Sequence, residues 1–512
     1  MNVHLKRPRR PCPVTTTALV TEARQKFDNL LRYCQGRDHG FWKSEKCLFA
    51  LMAVLGRVLV RLFLTARHER LDLRPYLADR RYRLGHAYAE RTLKTAYGEV
   101  RYGRAHVIRR RRGRGFHPLD VALGLTRDRL APWVLQVVGR LATRLSFAAT
   151  RLVCQALLRW APATETIEQV VLGLGRQAAP FRQQLAAPAR EGEVLVIEVD
   201  GKCPPTATAA ELAKRRGRRR HRPGCPCGCQ RHRGRSRRQA RGPKKRRKKG
   251  DKSKNGKEVM VVVMYTLRRG ADGKLHGPIN KKVWASFTGR KAAARWARAE
   301  ATKRGFGPDT PRTVQIVLDG AKGLKQNLER LFPRAILTLD VCHVVEKLWE
   351  VGRRFHREGS AELTAWVEEL KALLYSGRAG ELVDRLRGYA QQVPVHGPGT
   401  KGRRRALAKV IGYLEPRLGM MRYQEWLEQD LVLASGQVEG AVRHVVGERF
   451  DCAGMRWTRG KAEPLLGLRC IELNGDWDRF IAWAYQRQQE QLRKRRRIKI
   501  LTDQPMPLPK AA

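Results

Sequence analysis

Three short apolar stretches decide the fold of this chain: VLVIEVD (194–200), VQIVLD (314–319) and AILTLD (335–340). Each is rich in β-branched and other apolar residues, as expected of a buried strand, and each ends in an aspartate. The carboxyl ends of strands are where α/β proteins present reactive groups. The first two stretches therefore predict catalytic carboxylates at Asp200 and Asp319, although a surface or capping role is the common alternative for any single Asp-Gly pair.

The segments around these stretches predict the rest of a sheet. Two more strands are expected at 258–267 and 282–287, and three helices at 290–304, 323–332 and 343–355. Three strands, a helix, and then strand, helix, strand, helix is the element order of an RNase H-like fold. That fold has a mixed five-stranded sheet, with one acid on the first strand and another at the end of the fourth. We therefore expect an α/β RNase H-like core over 190–355.

A third acid lies in ASGQVEGAVRHVVG (434–447), where a helical pattern begins at Ser435 and carries Glu439. About 120 residues separate Asp200 from Asp319 and Asp319 from Glu439, so only folding can bring the three together. Carboxylate oxygens are the ligands that Mg²⁺ prefers. Two such ions about 3.5–4 Å apart activate the attacking oxygen and stabilise the leaving oxygen of a phosphoryl displacement. The cofactor expected here is therefore Mg²⁺ or Mn²⁺.

The charge of the chain indicates its partner. The sequence has 512 residues, with 105 Lys and Arg against 47 Asp and Glu, a formal net charge of +58. Such a charge favours polyanions, because counterions released from a phosphate backbone drive association. The sequence shows no continuous apolar run of about 18 residues and no secretory leader, so a soluble, cytoplasmic protein without a membrane partner is expected. The 11 cysteines, mostly scattered singly, suit a reducing compartment.

The region before the core is predicted to be mainly helical. Residues 1–40 form a basic segment to which the sequence assigns no role, and 41–185 are expected to bind DNA. Alternating residues around Tyr97-Gly98 predict a β-hairpin. Two helices joined through WAPATET (160–166) resemble a helix-turn-helix, with Ser146 and either Thr164 or Thr166 as N-caps. A helical hairpin that only builds the core is the alternative.

Two insertions interrupt the predicted core. The first, Lys214–Lys257, has 22 Lys and Arg in 44 residues and no apolar pattern, which predicts a polyanion-binding arm. It contains GCPCGCQRH, whose soft ligands fit a tetrahedral zinc site or else form a reduced, flexible cluster: Cys225, Cys227, Cys229 and His232. The second insertion, 356–430, is predicted to be all helical. The catalytic-Glu helix and C-terminal helices follow over 431–489, and a basic tail over 490–512.

Two blocks carry a resemblance to a known family. LDGAKGLKQNLERLFPRAILTLDVCHVVEKLW (318–349) has a strand-end Asp-Gly and, twenty-one residues after Asp319, the sequence Asp340-Val-Cys-His343 before a helix. SGQVEGAVRHVVGERFDCAGMRWTRGKAEPLLGLRCIELNGDW (435–477) has a helix with a Glu, then Gly-Met-Arg-Trp and a helix of Leu and Arg. Both resemble bacterial insertion-sequence transposases of the Kra type, within the Mutator-like DDE superfamily. The resemblance covers roughly 90–485, and the basic insertion departs from the family pattern.

The resemblance implies roles for individual residues. Asp200, Asp319 and Glu439 would be metal ligands, and Asp340 and His343 would be auxiliary residues of the site. Asp340 has the alternative role of capping the following helix. DNA contacts are expected from residues near Glu439, namely Arg443, His444, Arg456 and Trp457. Trp457 has the alternative role of closing the core under the last helix.

Three functions are compatible with the charge and the predicted acids of this sequence. A DDE transposase cuts the 3′ strand at element ends and joins the 3′-OH to target DNA, both steps being phosphoryl transfers at one metal site. It would act on double-stranded DNA near the bacterial nucleoid, as at least a dimer, since two ends must meet. An RNase H-like nuclease without strand transfer needs the same acids. A non-catalytic nucleic-acid-binding protein from a decayed element needs none of them.

Overall fold

The computed structural model describes residues 14–36, 40–110, 115–126, 128–158, 160–209, 257–452, 455 and 457–496. These residues form two compact units. The hairpin unit comprises the described residues up to Gln177 together with those from Trp477 onward, and the sheet unit comprises those within Ala178–Asp476. The domain boundaries expected from the sequence, which are finer than this division, stay predictions.

The hairpin unit is built from a long β-hairpin and helices. Its strands are β1 (Tyr82–Thr95), β2 (Gly98–Arg109) and β3 (Gly115–Phe116), in that order across the sheet. The turn falls at Tyr97-Gly98, where Gly98 has φ +114°, a value that favours glycine. The helices are α1 (Thr16–Gln35), α2 (Phe41–Glu69), α3 (Arg74–Leu77), α4 (Pro118–Ala122), α5 (Pro132–Arg144), α6 (Phe147–Leu158) and α7 (Thr164–Gly175). The predicted hairpin is therefore confirmed, with a first strand that begins earlier than expected.

The helix pair expected around 160–166 is present as α6 and α7. Ser146 caps α6, because its Oγ accepts a hydrogen bond from the backbone N–H of Ala149 at 3.1 Å. Neither Thr164 nor Thr166 caps α7, since the N-cap is Ala163, whose side chain makes no capping bond. DNA reading by this pair stays a prediction.

Helix α2 is the one helix among the described residues that is long and apolar enough to cross a bilayer by length and composition. A core helix of a soluble protein passes the same test, so the expectation of a protein without a membrane partner stays untested.

The sheet unit contains the mixed five-stranded sheet that the sequence predicts. Its strands are β4 (Val194–Lys202), β5 (Val259–Arg269), β6 (Leu275–Ser286), β7 (Thr313–Leu318) and β8 (Ile336–Leu339). Their order across the sheet is β6-β5-β4-β7-β8. Strands β4, β7 and β8 run parallel, whereas β5 is antiparallel to β4 and to β6. The α/β fold class is thereby confirmed.

Helices make up the rest of the sheet unit. Helices α8 (Ala178–Gln184), α9 (Arg290–Lys303), α10 (Lys322–Leu331) and α11 (Val341–Gly352) precede, separate or follow the strands. The predicted helical insertion consists of α12 (Ala361–Tyr375), α13 (Ala379–Gln392), α14 (Thr400–Leu414), a 3₁₀ turn (Glu415–Met420) and α15 (Tyr423–Glu428). Then follow α16 (Gly436–Val442), a π-helical turn (Arg443–Gly447), α17 (Glu448–Phe450) and α18 (Arg459–Leu473). The chain returns to the hairpin unit with α19 (Trp477–Arg496).

Strand β4 lies at the centre of the sheet, and residues 194–199 are all buried. A strand with neighbours on both sides and both faces covered reads as a continuous apolar run, which explains the composition of VLVIEV. Glu198 is the exception in that run, and it is fully buried. A carboxyl group in such a place needs partners, and these lead to the functional site.

Candidate catalytic site at the carboxyl edge of the sheet

Three aspartates stand side by side at one edge of the sheet. Val199 of β4 pairs with Leu318 of β7, and Leu318 pairs with Leu339 of β8. The next residues along these parallel strands are Asp200, Asp319 and Asp340. Matched residues of parallel strands point to the same face, and neighbouring strands are about 4.8 Å apart. The two acids predicted from strand ends therefore lie on neighbouring strands, with Asp340 in the next place of the same row.

The same face of the sheet carries further polar side chains that sequence reasoning missed. Glu198 lies two residues before Asp200, Thr338 lies two before Asp340, and Gln315 lies four before Asp319. All three are fully buried. Polar residues separated by two or four positions in an otherwise apolar buried strand lie on one face, and this even spacing was the signal available in the sequence.

Glu198 ties the helix of Glu439 to the sheet. Its Oε2 accepts a hydrogen bond from the backbone N–H of Val438 at 2.8 Å, and its Oε1 accepts one from the Tyr265 hydroxyl at 2.7 Å. Burial raises the pKa of Glu198, and these two hydrogen bonds oppose that effect. Because Val438 is adjacent to Glu439 in α16, the bond fixes the catalytic candidate with respect to β4.

The segment leading into α16 is tied to the sheet by further bonds. The Gln315 amide accepts from the N–H of Val432 at 3.0 Å and donates to the carbonyl of the same residue at 2.6 Å. The Val341 N–H donates to the Leu433 carbonyl at 3.0 Å. A chain entering α16 is therefore attached to β7 and to the first residue of α11, which sets where the helix begins.

Like charges act on the acids of this edge. Burial, then the negative charges of Asp319 and Glu258, raises the pKa of Asp200, while a bond from the Gly201 N–H lowers it. Burial, then the charges of Asp340 and Asp200, raises the pKa of Glu439, which His343 partly offsets. The acids thus lie close enough to disfavour one another's ionisation, an arrangement that a bound cation relieves.

Asp340 has a different environment. It is fully buried, and it accepts hydrogen bonds from the Cys342 N–H at 2.8 Å, from the Ser435 hydroxyl, and from His343, whose Nδ1 lies 2.8 Å from Oδ2. Burial opposes ionisation of Asp340, but these bonds outweigh it and lower its pKa. The bond to Asp340 in turn raises the pKa of His343 to about 9. Asp340 therefore both caps α11 and orients His343.

Two overlapping sets of side chains can hold a metal ion. Among the described residues, ligand atoms of Asp340, His343 and Glu439 all lie within 4.8 Å of one another. The oxygens of Asp340 already accept three hydrogen bonds, so its capacity for a metal is largely used. Asp200, Asp319 and Glu439 form an all-oxygen set that fits a hard divalent cation. The donor chemistry is thus compatible with the metal ligands expected from the sequence, whose role stays a prediction.

The helical insertion reaches the same edge. The Tyr413 hydroxyl donates to the carbonyl of Asp319 at 2.7 Å. The buried Arg417 guanidinium donates to the carbonyl of Gly320 through Nε at 3.0 Å and Nη2 at 2.7 Å, and lies 4.5 Å from the Tyr413 ring centre. The Tyr423 hydroxyl donates to the Leu339 carbonyl at 2.8 Å. The insertion therefore holds the backbone at the ends of β7 and β8, a role that its amphipathic pattern did not reveal.

The residues expected to contact DNA lie in varied settings. Arg443 is exposed, and His444 is also exposed, with its Nδ1 2.6 Å from a carboxylate oxygen of Glu448. Trp457 is 8% exposed, and the Arg449 guanidinium lies 4.9 Å from its ring centre, so it occupies the interior position of the alternative reading. Arg456 and the four expected zinc ligands, Cys225, Cys227, Cys229 and His232, lie outside the described residues.

Comparisons with known proteins add little to this geometry. No protein-family model matches the chain, and no curated protein does. Among solved structures, the chain is similar to the Drosophila P element transposase in its strand transfer complex. The identity is 12%, the match covers 70% of this chain and 95% of that one, and the TM-score is 0.29. At that score the likeness is distant, and the functional conclusion depends on the site itself.

Proposed function

We propose that this chain is a DNA transposase of the DDE type, with an RNase H-like sheet unit that carries the chemistry. One observation supports this above all others. The register of β4 and β7 puts Asp200 and Asp319 side by side, and Glu198 fixes the helix of Glu439 over the same face. The formal charge of +58 favours nucleic acid as the partner.

The chemistry follows from the ligand set. Mg²⁺ or Mn²⁺ held by Asp200, Asp319 and Glu439 would activate the attacking oxygen and stabilise the leaving one. In the first step water attacks a phosphodiester, a new P–O bond forms, and the bond to the 3′ oxygen breaks to release a 3′-OH. In the second step that 3′-OH attacks a target phosphodiester, so one P–O bond forms as another breaks. Neither step needs a nucleotide cofactor, because each conserves the number of phosphodiester bonds or hydrolyses one.

His343 would assist through its position rather than as a metal ligand. Its Nδ1 is held by Asp340, so the opposite edge of the ring is fixed in direction. Its positive charge acts on Asp319 and Glu439, and a cation at this place also attracts a DNA phosphate. Two element ends must be joined in one complex, so the active form would be at least a dimer.

The experiment is a product analysis. Duplexes carrying the DNA that flanks the gene on each side are incubated with the full chain, Mg²⁺ or Mn²⁺, and a supercoiled plasmid as target. A transposase gives cleavage at a fixed position and end-joined plasmid. An RNase H-like nuclease gives cleavage without joined product, and a non-catalytic binding protein gives neither. The last two results would each overturn the proposal.

A further inference from the structure

An ion pair that the proposed chemistry does not use lies beside the catalytic aspartates. The Arg290 guanidinium donates to the carboxylate of Glu258 through Nε and Nη2, both at 3.1 Å. Such a two-bond pairing fixes the plane of the guanidinium as well as its position. Arg290 is the first residue of α9, and Glu258 directly precedes β5. The pair therefore connects a helix to the strand that neighbours β4.

Both partners are close to the acids of the site. The first residue of β5, Val259, pairs with Lys202 of β4, which puts Glu258 at the same end of β4 as Asp200. A Cβ added at Gly201 would lie 2.9 Å from Oε1 of Glu258, so the carboxylate packs against the residue that follows Asp200. The negative charge of Glu258 contributes to raising the pKa of Asp200.

Arg290 also lies beside the first turn of the helix that follows Asp319. Its bond to Glu258 and, more weakly, the charge of Asp319 raise its pKa, so it is a permanent cation whose charge acts on Asp319. Its third nitrogen, Nη1, lies 3.7 Å from where a Cβ would stand at Gly323, four residues after Asp319. No residue that the structure describes accepts a hydrogen bond from this nitrogen.

A purely structural role explains this arrangement poorly. The side chains of Arg290 and Glu258 are 32% and 35% exposed, and ion pairs with that exposure contribute little to stability. What the pair does achieve is to hold a planar cation at the edge of an acidic site, with one N–H edge that no described residue uses. A phosphate oxygen matches that edge, and a DNA strand entering among three carboxylates needs positive charge near its phosphates.

We infer that Arg290, held in place by Glu258, binds a non-bridging phosphate oxygen of the DNA strand next to the phosphate that reacts. Arg290 would contact the substrate directly, and Glu258 would be a positioning residue. The inference depends on the proposed function, since it assigns a substrate contact within the same site.

The test compares four variants on duplexes that carry a single neutral methylphosphonate at successive positions around the cleavage point. Arg290→Ala should lower kcat/KM for cleavage by about tenfold to a hundredfold, the range for a lost hydrogen bond to a charged group. Arg290→Lys should recover part of this loss because it keeps the charge. Glu258→Gln should give an intermediate loss, because the guanidinium is no longer fixed. Arg295→Ala, which removes the same charge from an exposed position of α9, is the matched control and should cleave like wild type.

The decisive readout is non-additivity. One methylphosphonate position should impair wild type and Arg295→Ala but cause no further loss in Arg290→Ala. If every position impairs Arg290→Ala as much as wild type, or if Arg290→Ala cleaves normally, the inference is wrong. Equilibrium binding of the same duplexes gives the same comparison without chemistry. A wild-type chain that binds DNA but never cleaves it would contradict the transposase proposal. In that case the non-additive effect of Arg290→Ala and one methylphosphonate position on binding affinity would still show whether Arg290 contacts a phosphate.

Discussion

Two groups of carboxylates share one edge of the sheet, and their surroundings differ sharply. Glu198 and Asp340 are fully buried, and each accepts bonds from distant parts of the chain: Glu198 from Tyr265 and Val438, and Asp340 from Ser435 in addition to its local bonds. Asp200 and Asp319 are half-buried, and from the described residues they accept only local bonds, from the Gly201 N–H at 2.6 Å and the Ala321 N–H at 2.9 Å. Glu439 is exposed.

This difference in burial and hydrogen bonding separates carboxylates that stabilise the structure from carboxylates that are available to bind a cation. A buried carboxylate whose two oxygens already accept hydrogen bonds has less left to offer a ligand, but it fixes whatever donates to it. A half-buried carboxylate with free lone pairs and like-charged neighbours is electrostatically strained and is suited to bind a cation. Glu198 and Asp340 would thus position the elements of the site, and Asp200, Asp319 and Glu439 would bind the metal ions.

The largest effect is expected from removing charge in the second group. Asp200→Asn, Asp319→Asn and Glu439→Gln should each reduce Mg²⁺-dependent cleavage by at least about a thousandfold, because each would remove a proposed metal ligand from a site that acts as a unit. DNA binding should be unchanged and thermal stability should not fall, since these side chains hold no distant part of the described chain and each change removes a negative charge from among like charges. Any of the three that still cleaves at a normal rate is not a ligand.

The converse effect is expected from the first group. Glu198→Ala should lower the free energy of unfolding by about 3 kcal/mol, because it leaves the Tyr265 hydroxyl and the Val438 N–H buried without an acceptor. Glu198→Gln keeps one acceptor oxygen and should cost about half as much. Urea unfolding of the three proteins measures the difference. Equal stability of Glu198→Ala and wild type would remove the distinction between the two groups.

The backbone that follows Asp319 is held by a residue of the helical insertion, so a change at Gly320 tests this contact. Gly320 has φ +74°, and an added Cβ would lie 2.4 Å from the Nε of buried Arg417. Gly320→Ala should therefore destabilise the chain by about 2–3 kcal/mol and impair cleavage. Gly359→Ala is the matched control, because Gly359 has φ +82° but no atom within 4 Å of an added Cβ. It should cost only about 1 kcal/mol and leave cleavage intact. Equal effects of both substitutions would show that contact with the insertion is unimportant.

The smallest effect concerns pH. The bond to Asp340 raises the pKa of His343 to about 9 from an ordinary 6.5, so protonated His343 stabilises the folded chain. That contribution is complete below pH 6.5 and is lost as the pH rises through 9. In the absence of divalent cations, the urea midpoint of wild type should fall across this interval more than that of His343→Gln. An identical fall in both proteins would mean that another group is responsible.

Much of the sheet unit could be predicted from the sequence, because most of its strands are apolar runs rich in β-branched residues. Their order and the two strand-end aspartates followed from local patterns. Contacts between distant segments did not. Arg417 and Gly320 are 97 residues apart, and no periodicity indicates that a guanidinium will be buried against a carbonyl. The interior place of Trp457 was likewise undecided, since an aromatic residue after a helix suits both a core and a base-stacking role. Glu198 could have been found, because a lone acid inside a buried strand demands a partner.

A diffraction experiment with Mn²⁺ on the full chain bound to cleaved DNA ends would show directly which carboxylates bind metal. Anomalous scattering locates the manganese ions independently of the protein atoms. We expect a manganese peak shared by the carboxylates of Asp200 and Asp319, with Glu439 completing the ligand set. A single peak held by Asp340, His343 and Glu439, with no manganese between Asp200 and Asp319, would contradict it.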